Sequence, residues 1–140
     1  MKLDKNNVRE RMEDTLLSTL QIKFIETDDE TSIEAIMPVG LHNAQTRKVL
    51  HGGATIALAE SVAGVGSNIM CAADESCFGM QISANHISSA KMGDTVRAKG
   101  TILHKGRSTH VWNVDVFSEA DGRLISTLRI TNSVIKKKWS

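Results

Sequence analysis

Hydrophobic residues along this chain repeat in two distinct periods. Across residues 94–105, Val96, Ala98, Gly100 and Ile102 alternate with Thr95, Arg97, Lys99 and Thr101. Trp112, Val114 and Val116 alternate with Asn113 and Asp115 across 109–118. Leu124, Leu128, Ile130 and Val134 alternate with Thr127, Arg129, Thr131 and Ser133 across 123–135. A period of two means antiparallel strands with one buried and one wetter face. Lys105-Gly106-Arg107 and Asp121-Gly122 supply the turns between them. A further strand is expected over 78–88, before Met92-Gly93-Asp94. An earlier hairpin pairs 21–26 with 31–39 around Asp28-Asp29-Glu30. At the start, Val8, Met12, Leu16, Leu17 and Leu20 fall at helical spacing and predict one short amphipathic helix over residues 7–20.

The stretch 53–71 follows neither strand alternation nor ordinary amphipathicity. Ala54, Ile56, Ala57, Leu58, Ala59, Val62, Ala63, Val65, Ile69 and Met70 make it apolar on nearly every side. A helix of that kind belongs in the middle of a fold. With about five strands available to cover it, the expected class is α+β, an antiparallel sheet wrapped around a central hydrophobic helix. At 140 residues, the chain is expected to form one domain over 1–140.

Composition narrows the partners. Seventeen Lys and Arg against sixteen Asp and Glu leave a net charge of +1, without the basic excess expected of a nucleic-acid binder or a polybasic membrane-surface protein. Three Phe, two Trp and no Tyr offer few platforms for stacking bases. No apolar run approaches the ~18–20 residues needed to span a bilayer. The charged first residues lack the apolar core of a signal peptide. The expectation is a soluble, cytoplasmic protein. Cys71 and Cys77 are too few for a disulfide scaffold or a zinc site of their own and are expected to pack as small hydrophobes. Lys136-Lys137-Lys138 reads as a solvated tail.

Two features carry chemistry. Glu60 is the only ionisable side chain of the apolar helix, and its helical neighbours Ile56, Ala57, Ala63 and Gly64 offer it no partner. It is either an edge-of-helix carboxylate facing water or a functional group held in a site. His51-Gly52-Gly53 stands immediately before the helix. Free N–H groups at a helix start, with glycines that let a ligand approach, are the equipment of an oxyanion hole. The same glycines could equally be a loop-to-helix hinge, and His51 a structural hydrogen-bonding group.

Gln45, then His51-Gly52-Gly53-Ala54, then Leu58-Ala59-Glu60-Ser61 resemble the hotdog-fold acyl-CoA thioesterases. The branch is that of 4-hydroxybenzoyl-CoA, 1,4-dihydroxy-2-naphthoyl-CoA and phenylacetic-acid-pathway thioesterases. Ile36-Met37-Pro38-Val39, Ser83-Ala84-Asn85-His86 and Val111-Trp112 extend the likeness over essentially the whole chain. The resemblance implies a hotdog fold and hydrolysis of an aromatic or medium-chain acyl-CoA, with no metal or other cofactor. Glu60 would be general base or nucleophile. Gly52 N–H would be the oxyanion donor, with Gln45 as a second polar contact and His51 positioning the thioester or Gln45. Coenzyme A would contact His86, Ser88, Ser89 and Lys91 on one segment and His104, Lys105, Gly106, Arg107 and Ser108 on a turn. In one respect the chain departs from the pattern: Gly64 stands one turn after Glu60, where relatives often carry Ser or Thr to orient water.

A non-catalytic acyl-CoA sensor is the alternative, although few residues precede 21 to form the DNA-binding module such regulators use. A hydratase of this fold would need an Asp/His pair that the central helix lacks. Spacing adds a constraint on assembly. Gly52 and Glu60, eight residues apart, lie about 12 Å apart along a helix, too far to act on one carbonyl. Two antiparallel helices from two chains would bring them together. A homodimer or homotetramer with active sites at the subunit interface is therefore expected, with no nucleic-acid or membrane partner.

Overall fold

The computed structural model describes residues 1–4 and 7–137; Lys138, at the end of the lysine run, lies outside them. The strands are β1 (Lys23–Ile25), β2 (Ser32–Pro38), β3 (Glu75–His86), β4 (Thr95–Lys105), β5 (Thr109–Ser118) and β6 (Leu124–Lys136). They form one antiparallel sheet in the order β1-β2-β4-β5-β6-β3. The α-helices among the described residues are α1 (Val8–Arg11), α2 (Leu16–Thr19) and α3 (Gly52–Met70). Among the described residues there are six strands, one in each of the six stretches the sequence marks as strand, where about five were expected to cover the helix.

The alternation that predicted β4, β5 and β6 is realised as side-chain direction. In β5, His110, Trp112, Val114, Val116 and Ser118 are buried while the residues between them are half-exposed. The inward faces of β2, β4, β5 and β6 close on one side of α3, where Leu58, Ala59, Val62 and Ala63 meet Ile33, Val96, Trp112, Leu128 and Ile130. Such burial of apolar surface is the main favourable term in folding.

Two expectations change. The residues 7–20 do not form one helix but two single turns, α1 and α2. Asp14 adopts φ 58°, which a continuing right-handed helix cannot accommodate. Thr15 then restarts the chain, its N–H donating to Ser18 Oγ at 3.2 Å while Ser18 Oγ donates to the Thr15 carbonyl. Nor is α3 enclosed on all sides in a single chain. The sheet covers one face, while Ile56, Ala57, Ser61, Gly64 and Val65 on the other are only half-buried and Glu60 is exposed. Among the described residues no helix is long and apolar enough to cross a membrane.

Candidate active site

The loop before α3 is built around its helix start. His51 is the N-cap residue, and its Nδ1 accepts the Gly53 N–H at 2.8 Å, satisfying one of the donors that a helix start leaves free. The Gly52 N–H has no partner among the described residues. Of the two glycine donors, the structure therefore occupies Gly53 and leaves Gly52 available. A Cβ on Gly52 would lie 2.7 Å from His86 Nε2, so only glycine allows the His86 ring this close to the helix start. Serine 126 fixes that ring through a 2.7 Å contact between its Oγ and His86 Nδ1.

Gly52 and His86 line a cavity of about 210 Å³ with Gln45, Leu50, Thr55, Ser88 and Ser89. Gln45 Oε1 accepts the Arg47 N–H, and Ser88 Oγ donates to the Leu124 carbonyl at 2.7 Å. Lys91 is exposed, on the segment that bridges to the cavity residue Val49. Arg123 stands here too, with Nη1 donating to the Ser89 carbonyl at 3.1 Å and Nε to Asp121. In the sequence nothing sets Arg123 apart, since it follows Asp121-Gly122, which signals only a turn.

Glu60 lies elsewhere. It sits mid-way along α3, two helical turns beyond Gly52, and its Oε1 lies 2.7 Å from the position a Cβ on Gly79 would occupy. Gly79 belongs to β3, an edge strand whose register with β6 shifts between Gly79 and Gln81. Around it Phe78 and Met80 are 60% and 62% exposed. One turn after Glu60, Gly64 has nothing within 4 Å of its Cβ position. It opens on a cavity of about 370 Å³ lined largely by apolar groups, among them Val8, Met12, Leu17, Val65, Ile69 and Phe78, with Arg11 also on its wall. Ser61 does not substitute for a residue at 64, since its Oγ donates back to the Ala57 carbonyl at 2.7 Å.

The hairpin residues His104, Lys105, Gly106, Arg107 and Ser108 line neither cavity. The Val134 N–H donates to the Ser108 carbonyl, whereas Ser88 bonds to Leu124 at the other end of the same strand. From Leu124 to Val134 along β6 is about 30 Å at ~3.3 Å per residue. One chain therefore separates the two segments expected to share coenzyme A, just as it separates Gly52 from Glu60.

Between α3 and the sheet lies a buried polar cluster absent from the sequence expectations: Ser67 of the helix with His110 and Asn132 of the strands. Burial pushes the His110 imidazole below its ordinary range, helped by the nearby Lys105 charge. Their signal was legible as polar residues on inward-facing strand positions, Asn132 between Ile130 and Val134 and His110 two before Trp112. Cys71 and Cys77 are buried and form no disulfide, packing as expected. Cys77 is pushed up to about 12, first by burial and then by Cys71 beside it, which makes it a poor nucleophile.

Comparison with known proteins gives this geometry a context. Residues 47–125, which include the His-Gly-Gly element and Glu60, match the thioesterase superfamily. A 1,4-dihydroxy-2-naphthoyl-CoA hydrolase of Escherichia coli K12 is 36% identical over 123 residues, covering 88% of each chain. The proofreading thioesterase EntH of Cronobacter turicensis is 32% identical over 121 residues, 86% of each. The crystal structure of a thioesterase from Haemophilus influenzae superposes with a TM-score of 0.90 at 31% identity, covering 99% of this chain and 94% of that one. With its antiparallel sheet packed on one long helix, the chain belongs to the thioesterase superfamily, in the hotdog branch, and is a thioester hydrolase.

Proposed function

We propose that this protein hydrolyses aromatic or medium-chain acyl-CoA thioesters at sites shared by two copies of the chain. Glu60 acts from one copy and the Gly52 N–H from the other. The observation that carries the reading is the separation itself. A free donor with its polar cavity stands at the start of α3, and a carboxylate with an apolar cavity stands mid-helix, about 12 Å on by helical rise. Neither half is sufficient alone.

The edge strand β3 favours such an assembly. Among the described residues no strand pairs with its outer edge; the Asn68 side chain holds Cys77 there, while Phe78 and Met80 beyond it are exposed, and an edge left open in this way is a template for pairing. Two β3 edges meeting antiparallel would also set two α3 helices antiparallel, covering the half-buried face of Ile56, Ala57 and Val65. Gly52 of one copy would then approach Glu60 of the other. The same operation would carry the His104–Ser108 hairpin toward the partner's His86, Ser88, Ser89 and Lys91. Lys91, Lys105 and Arg107 bring positive charge for the phosphates of coenzyme A, and Gly106 brings turn N–H groups.

Chemically, Glu60 takes a proton from water and the hydroxyl oxygen bonds to the thioester carbonyl carbon. The Gly52 N–H, with Gln45 nearby, stabilises the resulting oxyanion. Collapse breaks the C–S bond, and the proton passes to the departing sulfur. Alternatively the Glu60 carboxylate attacks the carbonyl carbon, the C–S bond breaks with departure of the coenzyme A thiolate, and water then hydrolyses the mixed anhydride to the free acid and Glu60, its released proton going to the thiolate. A positioned base contributes about 10²–10⁴ in rate and an oxyanion donor about 10²–10³. The cavity beside Gly64 supports the acyl assignment, its apolar lining suiting a ring or medium chain better than a polar acyl group.

A thiol-release assay over a panel of acyl-CoA substrates tests the proposal. Turnover should be best for aromatic and medium-chain acyl groups. Tight acyl-CoA binding with no thiol release would replace it with a non-catalytic acyl-CoA-binding role, and turnover confined to short polar acyl groups would overturn the substrate assignment.

A further inference from the structure

Ser67 of α3 meets three strand side chains at once. Its Oγ is 2.8 Å from Trp112 Nε1, 2.9 Å from Asn132 Nδ2 and 2.8 Å from His110 Nδ1. Indole and amide nitrogens only donate. Their two hydrogens take both lone pairs of the hydroxyl, whose single proton goes to His110 Nδ1. The second amide hydrogen of Asn132 goes to the Ala63 carbonyl at 3.1 Å. Because that carbonyl cannot donate, the amide has one possible orientation, and its Oδ1 is fixed.

That oxygen is fully buried and has no hydrogen-bond partner among the described residues. An orphaned acceptor of this kind calls for an explanation. It faces Gly79, and the three heavy atoms nearest to a Cβ built there are Glu60 Oε1 at 2.7 Å, Glu60 Cδ at 3.6 Å and Asn132 Oδ1 at 3.7 Å. Glycine at 79 thus puts no side chain between the carboxylate on α3 and the amide oxygen on β6.

We infer that Asn132 is a positioning residue for Glu60, its Oδ1 accepting a hydrogen bond from the Glu60 carboxyl after Glu60 has taken the proton of the attacking water. The inference rests on the reading of Glu60 as the base and selects general base over nucleophile. Two acceptors cannot bond to each other, so the contact is absent while Glu60 is ionised and forms when it carries a proton. An interaction made only at that stage lowers the barrier without tightening substrate binding. When the tetrahedral intermediate collapses, the proton leaves Glu60 for the sulfur, and Oδ1 is again without a partner. The Ser67–Ala63 network keeps the amide from turning its NH₂ toward the carboxylate, which would stabilise the ionised form instead.

Gly79→Ala tests this most cleanly. The added methyl separates the two groups, displaces only the mobile end of Glu60 and meets Asn132 Oδ1 at ordinary contact distance. We expect kcat to fall about tenfold with KM unchanged, consistent with loss of one hydrogen bond in the transition state. Glu60→Gln supplies a readout independent of turnover, because its amide N–H mimics the protonated acid. It should raise the thermal midpoint in the otherwise unaltered protein and give no rise in a Gly79→Ala or Asn132→Leu background. An equal rise in all backgrounds, or none in any, overturns the inference. So does unchanged kcat in Gly79→Ala while Glu60→Gln is inactive, a result that spares the role of Glu60. Wild-type turnover in Glu60→Gln would overturn the base reading and this inference together.

Discussion

Alanine in place of Gly64 or of Gly66 makes the same chemical change on one helix, yet the surroundings give the two opposite signs. Each substitution gains about 1 kcal/mol of helix propensity. At Gly64 nothing lies within 4 Å of the new methyl, so the gain stands. At Gly66 the methyl would lie 2.6 Å from Trp112 Cη2, 2.8 Å from Cζ2 and 3.1 Å from Ile33 Cγ2. Both partners are 0% exposed, and the Trp112 ring is held by its hydrogen bond to Ser67, so neither can yield cheaply. Overpacking of this sort costs about 1–3 kcal/mol, which cancels the propensity gain or outweighs it by up to about 2 kcal/mol. The two variants should therefore differ by about 1–3 kcal/mol. Urea unfolding at one fixed protein concentration would read this, because association couples stability to concentration. With a slope of about 1–3 kcal/mol per molar urea, the midpoints separate by about 1 M. A Gly66→Ala midpoint equal to or above that of Gly64→Ala would refute the packing of α3 on Trp112. A destabilised Gly64→Ala would refute the open space beside Glu60.

Acid should weaken the fold through His110. The unfolded chain takes up its imidazole proton near pH ~6.5, whereas the buried folded form does so only at lower pH. The contribution is therefore complete above about 6.5 and is lost as pH falls from there toward the folded value. Urea midpoints should drop over that window, and His110→Asn should flatten this part of the dependence; an equally steep drop in the variant would contradict the neutral His110 that Ser67 requires. Sharing of the site between copies predicts that inactive Glu60→Ala and an impaired Gln45→Ala variant recover activity when unfolded and refolded together. No recovery, or an active monomer by sedimentation, would count against the shared site.

Much of this architecture is legible in the sequence because burial on one face of a strand writes a period of two. That is why β4, β5 and β6 appear nearly to their ends. The start of β3 is not legible: the strand begins at Glu75, three residues before the expected 78, and Phe78, Gly79, Met80 and Gln81 that follow are all exposed in one chain, so no alternation marks where it begins. The break between α1 and α2 depends on a single left-handed residue, Asp14, which spacing of apolar residues cannot reveal. His51, Gly52 and Glu60 stand out because glycines and a lone carboxylate are conspicuous beside an apolar helix. Asn132 does not, since its part depends on the register that sets it opposite Gly79. The segments expected to contact coenzyme A follow from the resemblance, but only the register shows that one chain holds them at opposite ends of the sheet.

The central claim is that Glu60 performs the proton chemistry of thioester hydrolysis. Its most direct test is thiol release by Glu60→Gln against the unaltered protein, on the best acyl-CoA substrate, with circular dichroism confirming the same fold. The account predicts a loss of about 10²–10⁴ in kcat. Turnover undiminished in a correctly folded Glu60→Gln protein would contradict it.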